Sequence, residues 1–290
     1  MHSETVLAID LGGTKVASAL VDRRGRITSP KSESTDCSSN TSVIKQLQRV
    51  ARRVRGRVAA VGVCVPGLAR KDGTVWAPNL PGWTRQPLRR ELERVAGVPV
   101  AVDSDRNCAV LGEAWMGAAR GCADVVCLIV GTGIGAGILS DGRLIRGPDE
   151  LSGCAGWLAI SEDLKAEYRR CGILESLAAG PAIARFAGVA SVQQLSSAAR
   201  RGDPHARQAL IEAGRRLGLG VANIISLLNP HVVVIGGGVA AAGEILFGAL
   251  RRTALAWTQP LAARRVRIVR SRLAGRAPLL GAARVALEMK

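Results

Sequence analysis

The sequence predicts an α/β fold divided into two lobes, and three observations lead to this prediction. Short apolar runs of strand length alternate with helical patterns along the chain, which is typical of α/β proteins. A strand–turn–strand unit with glycine and threonine in its turn occurs twice, at residues 6–21 and 124–139, about half a chain apart. With 290 residues, 48% of them hydrophobic, the chain is long enough for one large domain or two lobes with a real core.

The turn of the first unit is predicted to bind phosphate and magnesium. It consists of Asp10, Leu11, Gly12, Gly13, Thr14 and Lys15. The glycines let backbone N–H groups approach a phosphate closely, and the threonine and lysine add a hydroxyl donor and a positive charge. The aspartate can hold Mg²⁺ through water, because this ion prefers oxygen ligands and keeps much of its hydration. The alternative is a tight hairpin with a surface lysine; the spacing fits neither the Walker loop nor the dinucleotide fingerprint.

Two further glycine clusters extend the predicted nucleotide site. The second unit has Gly131, Thr132 and Gly133 in its turn, after an apolar strand. Another buried strand, residues 232–235, ends in Gly236, Gly237 and Gly238. The missing side chains at this third cluster would let a flat adenine or ribose lie on the backbone.

These motifs resemble the ROK family of sugar kinases and repressors, within the actin/hexokinase-like ATPase superfamily. The resemblance covers nearly the whole chain and rests on residues 10–15, 66–67, 78–83, 105–107, 111–113, 131–135, 175, 180–183, 229–230, 235–239 and 280–283. It implies a two-lobed actin-like ATPase (ribonuclease H-like) fold that uses ATP and Mg²⁺.

The resemblance also gives the expected lobes. Residues 1–115 form an N-terminal lobe with the first phosphate hairpin, the sugar cleft and the catalytic aspartate. Residues 116–274 form a C-terminal lobe with the second hairpin and the adenosine site, and a helix at 275–290 returns to the first lobe. The nucleotide is expected between the lobes, whose closure on the substrate would exclude water.

Asp105 is the candidate catalytic residue. It follows a short apolar strand and stands at a helix start. Such a carboxylate is either a helix N-cap or a general base that accepts the proton of an attacking hydroxyl. The resemblance places the family's catalytic aspartate here. The preceding residue is usually an asparagine that binds sugar; here it is Ser104, whose shorter side chain must reach the substrate through water or not at all.

Other substrate contacts are expected at the turn Pro66–Gly67, which ends a buried strand, and at Asn79 in a loop that the family places along the sugar cleft. For this loop the alternative is simple turn chemistry with a core tryptophan. Glu175 matches another sugar-contacting glutamate of the family; its alternative is a surface carboxylate at a helix start.

The chain departs from the family in two places. The family usually has Gly-Glu-x-Gly-His at the position of residues 156–160. Its glutamate binds sugar, and its histidine binds both sugar and a structural zinc. In this chain Trp157 stands in place of the glutamate and Ile160 in place of the histidine. Trp157 either fills the core or stacks on an apolar face of the substrate. Residues 166–173 align with the family's zinc-binding cysteine run, but their one cysteine, Cys171, falls between the family's cysteine positions, so no structural zinc is expected.

Charge and amino-acid composition limit the kinds of binding partner that we expect. The formal charge of +17 permits nucleic-acid binding, but the arginines are scattered and only 3% of residues are aromatic, so stacking platforms are scarce. No Cys-x-x-Cys pair and no apolar run of membrane-spanning length occur. We expect a cytoplasmic homodimer with a small sugar-like substrate and neither a nucleic-acid nor a membrane partner.

The sequence therefore predicts an ATP-dependent kinase that phosphorylates a primary hydroxyl of a hexose. The missing glutamate and histidine favour a modified substrate, such as an amino sugar like kanosamine or a cyclitol. The alternatives are a non-catalytic sugar or nucleotide sensor, against which the retained Asp105 argues, and a transcriptional regulator, which would need a helix-turn-helix domain before the first strand. The phosphate donor, ATP or polyphosphate, stays open.

Overall fold

The computed structural model describes residues 5–163, 165–273 and 275–289. The chain forms two compact units. Unit 1 consists of Met1–Gly121, Arg146–Ser152 and Leu273–Lys290, and unit 2 of Cys122–Ile145 and Gly153–Arg272. The division expected from the sequence lacks the segment Arg146–Ser152, which the structure assigns to unit 1 although both of its flanks belong to unit 2.

The elements are listed here in chain order. Those up to residue 121 are β1 (Thr5–Leu11), β2 (Lys15–Asp22), β3 (Ile27–Ser34), α1 (Asn40–Arg52), β4 (Val61–Val65), β5 (Leu68–Ala69), β6 (Val75–Trp76), α2 (Leu88–Ala96), β7 (Val100–Ser104) and α3 (Asp105–Met116). Unit 2 contains β8 (Val125–Val130), β9 (Ile134–Ser140), β10 (Arg143–Leu144), α4 (Tyr168–Cys171), α5 (Ile173–Ala178), α6 (Gly180–Phe186), α7 (Val192–Arg200), α8 (Pro204–Leu228), β11 (Val232–Gly236), α9 (Glu244–Trp257), α10 (Pro260–Ala263) and β12 (Arg267–Arg270). The last helix, α11 (Ala277–Leu287), belongs to unit 1.

The two main sheets repeat one pattern. In unit 1 the strand order is β3-β2-β1-β4-β7, and in unit 2 it is β10-β9-β8-β11-β12. In each sheet the first three strands are antiparallel neighbours, and the last two run parallel to the strand that opens the unit. The mixed α/β fold with a duplicated hairpin is therefore confirmed.

The sheet of unit 1 has one bulky and one small face, because successive side chains of a strand point to opposite sides. Leu7, Ile9 and Val63 belong to an apolar core shared with buried residues of α1 and α2. On the other face Ala8 lies beside Gly62, and α11 packs there against β1, β4 and α3. A Cβ at Gly62 would overlap the carbonyl oxygen of Ala282, so this close packing requires glycine.

One sequence expectation about an element is wrong. The polar, turn-rich residues 27–42 suggest a loop that leads into a helix, yet Ile27–Ser34 form the strand β3. This strand lies at the edge of the sheet, pairs with β2 alone and is mostly exposed, so it needs no apolar alternation.

In unit 2 the long helix α8 packs on α9 through Gly214 and Gly218, where a Cβ would meet α9 backbone. Across the described residues, no helix is both long and apolar enough to cross a membrane.

Candidate active site

Three candidate groups of unit 1 lie at one edge of its sheet. Asp10 is near the end of β1, Pro66–Gly67 follow β4, and Asp105 follows β7. These three strands are parallel, so their carboxyl ends meet at the same edge. Gly67 has φ +123°, and a Cβ there would overlap the carbonyl oxygen of Trp76, which makes glycine necessary at this turn.

The tip of the first hairpin is held by hydrogen bonds at Gly12 and is exposed at Gly13, Thr14 and Lys15. The Gly12 N–H donates to the Lys15 carbonyl (2.8 Å), and the Thr35 hydroxyl donates to the Gly12 carbonyl (2.7 Å). Gly13, Thr14 and Lys15 are exposed, and a Cβ at Gly13 would meet no atom within 4 Å. The tip therefore offers backbone and side-chain donors to a ligand.

Asp10 is an electrostatically costly carboxylate. Burial raises its pKa to about 6, and the negative charge of Asp105 contributes in the same direction, while the Cys64 thiol and the Lys15 ammonium oppose the increase. A divalent cation near this group would favour its charged form. Among the described residues no group of three or more His, Cys, Asp or Glu is placed to hold a metal.

Asp105 is not used as the helix cap. The N-cap of α3 is Ser104, whose hydroxyl accepts from the Asn107 N–H at 3.4 Å. Asp105 is the first helical residue, its Oδ1 accepts from the Arg106 N–H (2.8 Å), and burial raises its pKa. The capping interpretation of Asp105 is therefore wrong. Ser104 is 2% exposed and engaged in capping, so the structure does not favour the predicted sugar contact by its side chain.

The loop that contains Asn79 combines both interpretations given above. Trp83 is 1% exposed and belongs to the apolar core of unit 1, as the structural alternative expects. Asn79 is exposed and remains available to a ligand.

In unit 2 the second hairpin and the third glycine cluster line one cavity of about 470 Å³. Its lining consists of Gly131, Thr132, Gly180, Pro181, Ala184, Ala190, Ser191, Val192, Gln193, Gly238 and Val239. Of the three consecutive glycines only Gly238 faces it. Gly236 ends β11, and Gly237 has φ +82° in a position where a Cβ would overlap the Val130 carbonyl oxygen.

The α6 and α7 residues of this cavity were missed by the site prediction, apart from the match at residues 180–183. Ser191 caps α7 by accepting from the Gln194 N–H (3.2 Å), and Gln193 lies beside Gly238. A serine before a helical pattern is a recognisable sequence signal for a helix start, but nothing local links that start to the glycine cluster.

Glu175 supports the second hairpin directly. Its Oε2 accepts from the Ile134 N–H at 2.7 Å, immediately after Gly133. A Cβ at Gly133 or Gly156 would come within about 3 Å of the same oxygen. Glu175 is therefore neither a simple surface carboxylate nor isolated from the predicted phosphate site.

The structure also favours a different alignment around Trp157. Gly153 has φ +83° and would overlap the Ala136 carbonyl with a Cβ, and Gly156 packs on Glu175. If Gly153 and Gly156 match the two glycines of the family's Gly-Glu-x-Gly-His, Cys154 stands in place of the glutamate and Trp157 in place of the histidine. The indole of Trp157 is 56% exposed, so its core-filling interpretation is wrong.

Cys171, the one cysteine in the stretch aligned with the family's zinc motif, lies beside a hydroxyl group. The Cys171 thiol lies 3.2 Å from the Ser176 hydroxyl, within hydrogen-bond reach. The expectation that this chain holds no structural zinc stays a prediction.

Comparisons with known proteins point to one family. The sequence model described as the ROK family matches residues 6–289. A glucokinase of Thermotoga maritima is 34% identical over 313 aligned residues, which cover 98% of this chain and 97% of that protein. The ROK hexokinase from Thermus thermophilus has a TM-score of 0.84 at 34% identity, with 97% of each chain covered. A ROK family glucokinase from Streptomyces griseus, solved with glucose and AMPPNP, has a TM-score of 0.83 at 31% identity, with 98% of this chain and 100% of that chain covered.

Proposed function

The chain belongs to the ROK family, and we propose that it is an ATP-dependent kinase that phosphorylates a primary hydroxyl, at the 6-position, of a hexose or modified hexose. The observation that carries this proposal is Asp105 itself: a half-buried carboxylate that does not cap its helix, because Ser104 does, at the sheet edge that also holds Asp10. The kinase relatives support the reaction class.

Asp105 acts as the general base. The sugar hydroxyl oxygen bonds to the γ-phosphorus, and the hydroxyl proton passes to the Asp105 carboxylate. The bond between the γ-phosphorus and the ADP oxygen breaks. The raised pKa that burial gives Asp105 makes the carboxylate a better proton acceptor than an exposed one.

Asp10 would hold Mg²⁺ through water, because a nearby dication would stabilise its partly buried charge. When bound, the ion neutralises phosphate charge. Backbone N–H groups of Gly12, Gly13 and the Gly131–Gly133 turn, with Thr14, Lys15 and Thr132, bind the β- and γ-phosphates.

The cavity of unit 2 binds adenosine. Small and apolar residues such as Gly238, Ala184 and Val239 leave room for a flat base, while Ser191 and Gln193 supply polar groups that can orient it. Gly236 and Gly237 shape the turn that positions Gly238.

The acceptor is a sugar held by Pro66, Gly67, Asn79 and Glu175. In this proposal Oε1 of Glu175 accepts from a sugar hydroxyl, while Oε2 accepts from the Ile134 N–H of the hairpin. Cys154 and Trp157 cannot replace the hydrogen bonds of a glutamate and a histidine, but an exposed indole offers a flat stacking surface. We therefore favour an amino sugar of the kanosamine type or a cyclitol over plain glucose.

The test measures ADP release from ATP and Mg²⁺ against a panel of hexoses, amino sugars and cyclitols, with polyphosphate as a second donor. Asp105→Asn is the test variant and Asp72→Asn is the matched control, because Asp72 is an exposed carboxylate paired with Arg85. Turnover that is lost in the first variant and kept in the second supports the proposal. ATP binding without turnover on any acceptor refutes it and favours a non-catalytic sensor or regulator.

A further inference from the structure

We propose that Arg146 is a positioning residue for Asp105, acting through Asp103 and Asn107; this inference rests on the proposed function of Asp105. Arg146 begins the segment Arg146–Ser152, which belongs to unit 1, although the residues before and after it in the chain belong to unit 2. No pattern in the sequence connects this segment with the predicted catalytic residue 41 positions earlier.

The segment is anchored by a two-pronged ion pair. Nη2 of Arg146 donates to Asp103 Oδ2 at 2.6 Å, and Nη1 donates to Asp103 Oδ1 at 3.0 Å. Nη1 also lies 3.4 Å from Glu150 Oε2. The Asp103 side chain is 2% exposed and that of Arg146 is 33% exposed, so water screens this pair far less than a surface pair.

Asp103 links Arg146 to the start of α3. Its Oδ1 also accepts from the Ser104 N–H and from the Asn107 Nδ2, each at 2.8 Å. Ser104 and Asn107 are the cap and the third residue of α3, and they lie on either side of Asp105 in the chain. One carboxylate thus fixes both ends of the short stretch that carries the base.

A second contact reaches the same stretch from the same segment. The guanidinium of Arg106 donates to the backbone carbonyl of Glu150, the residue that also faces Arg146. Glu150 has φ +58°, an uncommon conformation for a residue with a side chain. Asp105 is therefore flanked on both sides by residues held to Arg146–Ser152.

This arrangement predicts what removing Arg146 does. Asp103 would keep its backbone and amide donors but lose its charged partner, and a buried carboxylate tolerates such a loss poorly. The first turn of α3 would then shift or loosen, and Asp105 with it. A displacement of about 1 Å in a reacting group costs on the order of 100-fold in rate.

The experiment compares Arg146→Met with Arg143→Met, a matched substitution of an exposed arginine on β10. We expect kcat on the best acceptor to fall about 10- to 100-fold in Arg146→Met with the KM for ATP unchanged, and both to stay unchanged in the control. Guanidinium added to Arg146→Ala should restore part of the lost kcat, because it can occupy the same position opposite Asp103. Arg146→Lys, which keeps the charge but not the fork, should lie between wild type and Arg146→Met.

Amide hydrogen exchange gives a readout that does not depend on turnover. Exchange of the amides at residues 105–108 should accelerate in Arg146→Met and not in Arg143→Met. If the wild type is active and Arg146→Met keeps its kcat within about twofold, or if exchange at residues 105–108 is unchanged, the inference is wrong while the proposed function stands. If the wild type phosphorylates no acceptor, the proposed function fails, and the exchange experiment still decides whether Arg146 orders this turn. Should Arg146→Met not fold, Arg146→Lys is scored by the same two criteria.

Discussion

Replacing Asp10 with asparagine should stabilise the protein at neutral and alkaline pH. In the wild type the folded state keeps this carboxyl partly buried and close to Asp105, and its pKa is raised from the ordinary value of 3.8 to about 6. Between these two values the folded protein binds more protons than the unfolded chain. Stability therefore falls as pH rises from about 4 to about 6 and stays reduced above that range.

The size of the effect follows from the raised pKa. An increase from 3.8 to about 6 corresponds to about 3 kcal/mol of unfolding free energy at neutral pH. Asparagine has nearly the same shape, carries no charge and keeps a carbonyl oxygen that can accept from the Cys64 thiol. We expect Asp10→Asn to be more stable than the wild type by about 1–3 kcal/mol at about pH 8, with the difference disappearing towards about pH 4.

Urea unfolding followed by circular dichroism, for both proteins across this pH range, measures the difference directly. Asp72→Asn is the control with the opposite sign. The Asp72 pKa is lowered to about 2 by hydrogen bonds from Thr74 and by Arg85, so its charge contributes stability above about pH 4, which asparagine forfeits. An Asp10→Asn variant that is no more stable than the wild type at about pH 8 would refute the electrostatic reasoning.

The same variant tests the assignment of magnesium. Mg²⁺ with a non-hydrolysable ATP analogue should stabilise the wild type more than either alone, because the dication relieves the cost of the Asp10 charge. Asp10→Asn has no such charge to relieve. We expect it to keep the nucleotide effect and to lose the additional Mg²⁺ effect, and an equal Mg²⁺ effect in both proteins would contradict the assignment.

Further predictions concern packing and the substrate site. Gly281→Ala should destabilise the protein by about 2 kcal/mol or more, because the new Cβ would overlap a backbone carbonyl of α3. Gly248→Ala on α9 has space for the new Cβ and should stabilise the protein by about 0.5–1 kcal/mol. Thermal unfolding of the two variants and the wild type measures both effects. Glu175→Gln should raise the KM for the sugar and, by weakening the contact to the Ile134 N–H, also the KM for ATP, whereas an effect on sugar alone would separate the two roles. Trp157→Ala should raise the KM for the preferred acceptor about 10-fold without changing the melting temperature; an unaltered KM would exclude stacking.

Local patterns predicted the parts of this protein that depend on short stretches of chain. Both hairpin tips, the strand before the triple glycine and the helix start at Asp105 follow from apolar runs and glycine turns. Residues 27–42 were expected to form an irregular return from the first hairpin toward a helix, but Ile27–Ser34 form an exposed edge strand, which shows no apolar alternation in the sequence. Ser104 caps α3, and its predicted sugar contact stays a prediction, because a capping serine and a ligand serine look alike in sequence.

The long-range parts could not be predicted from the same evidence. Arg146 meets Asp103 only because residues 146–152 return to unit 1. Ser191 and Gln193, the polar side chains of the unit 2 cavity, lie at the start of α7, which no glycine motif indicates. The alignment around Trp157 depends on the packing of Gly153 against the Ala136 carbonyl and of Gly156 against Glu175, which the local sequence does not show. Tertiary contacts, rather than local propensity, decide each of these features.

The close packing of α11 on α3 and the small face of the first sheet has a consequence for biosynthesis. Gly62, Gly112 and Gly281 each bring backbone against backbone, so little else fills the space that α11 occupies. The ribosome makes β1, β4 and α3 before unit 2 but adds residues 277–287 only after all of unit 2. The nascent first unit therefore has an uncovered face while unit 2 is synthesised, and the helix that carries Asp105 gains its contact with α11 only after residues 277–287 have been made.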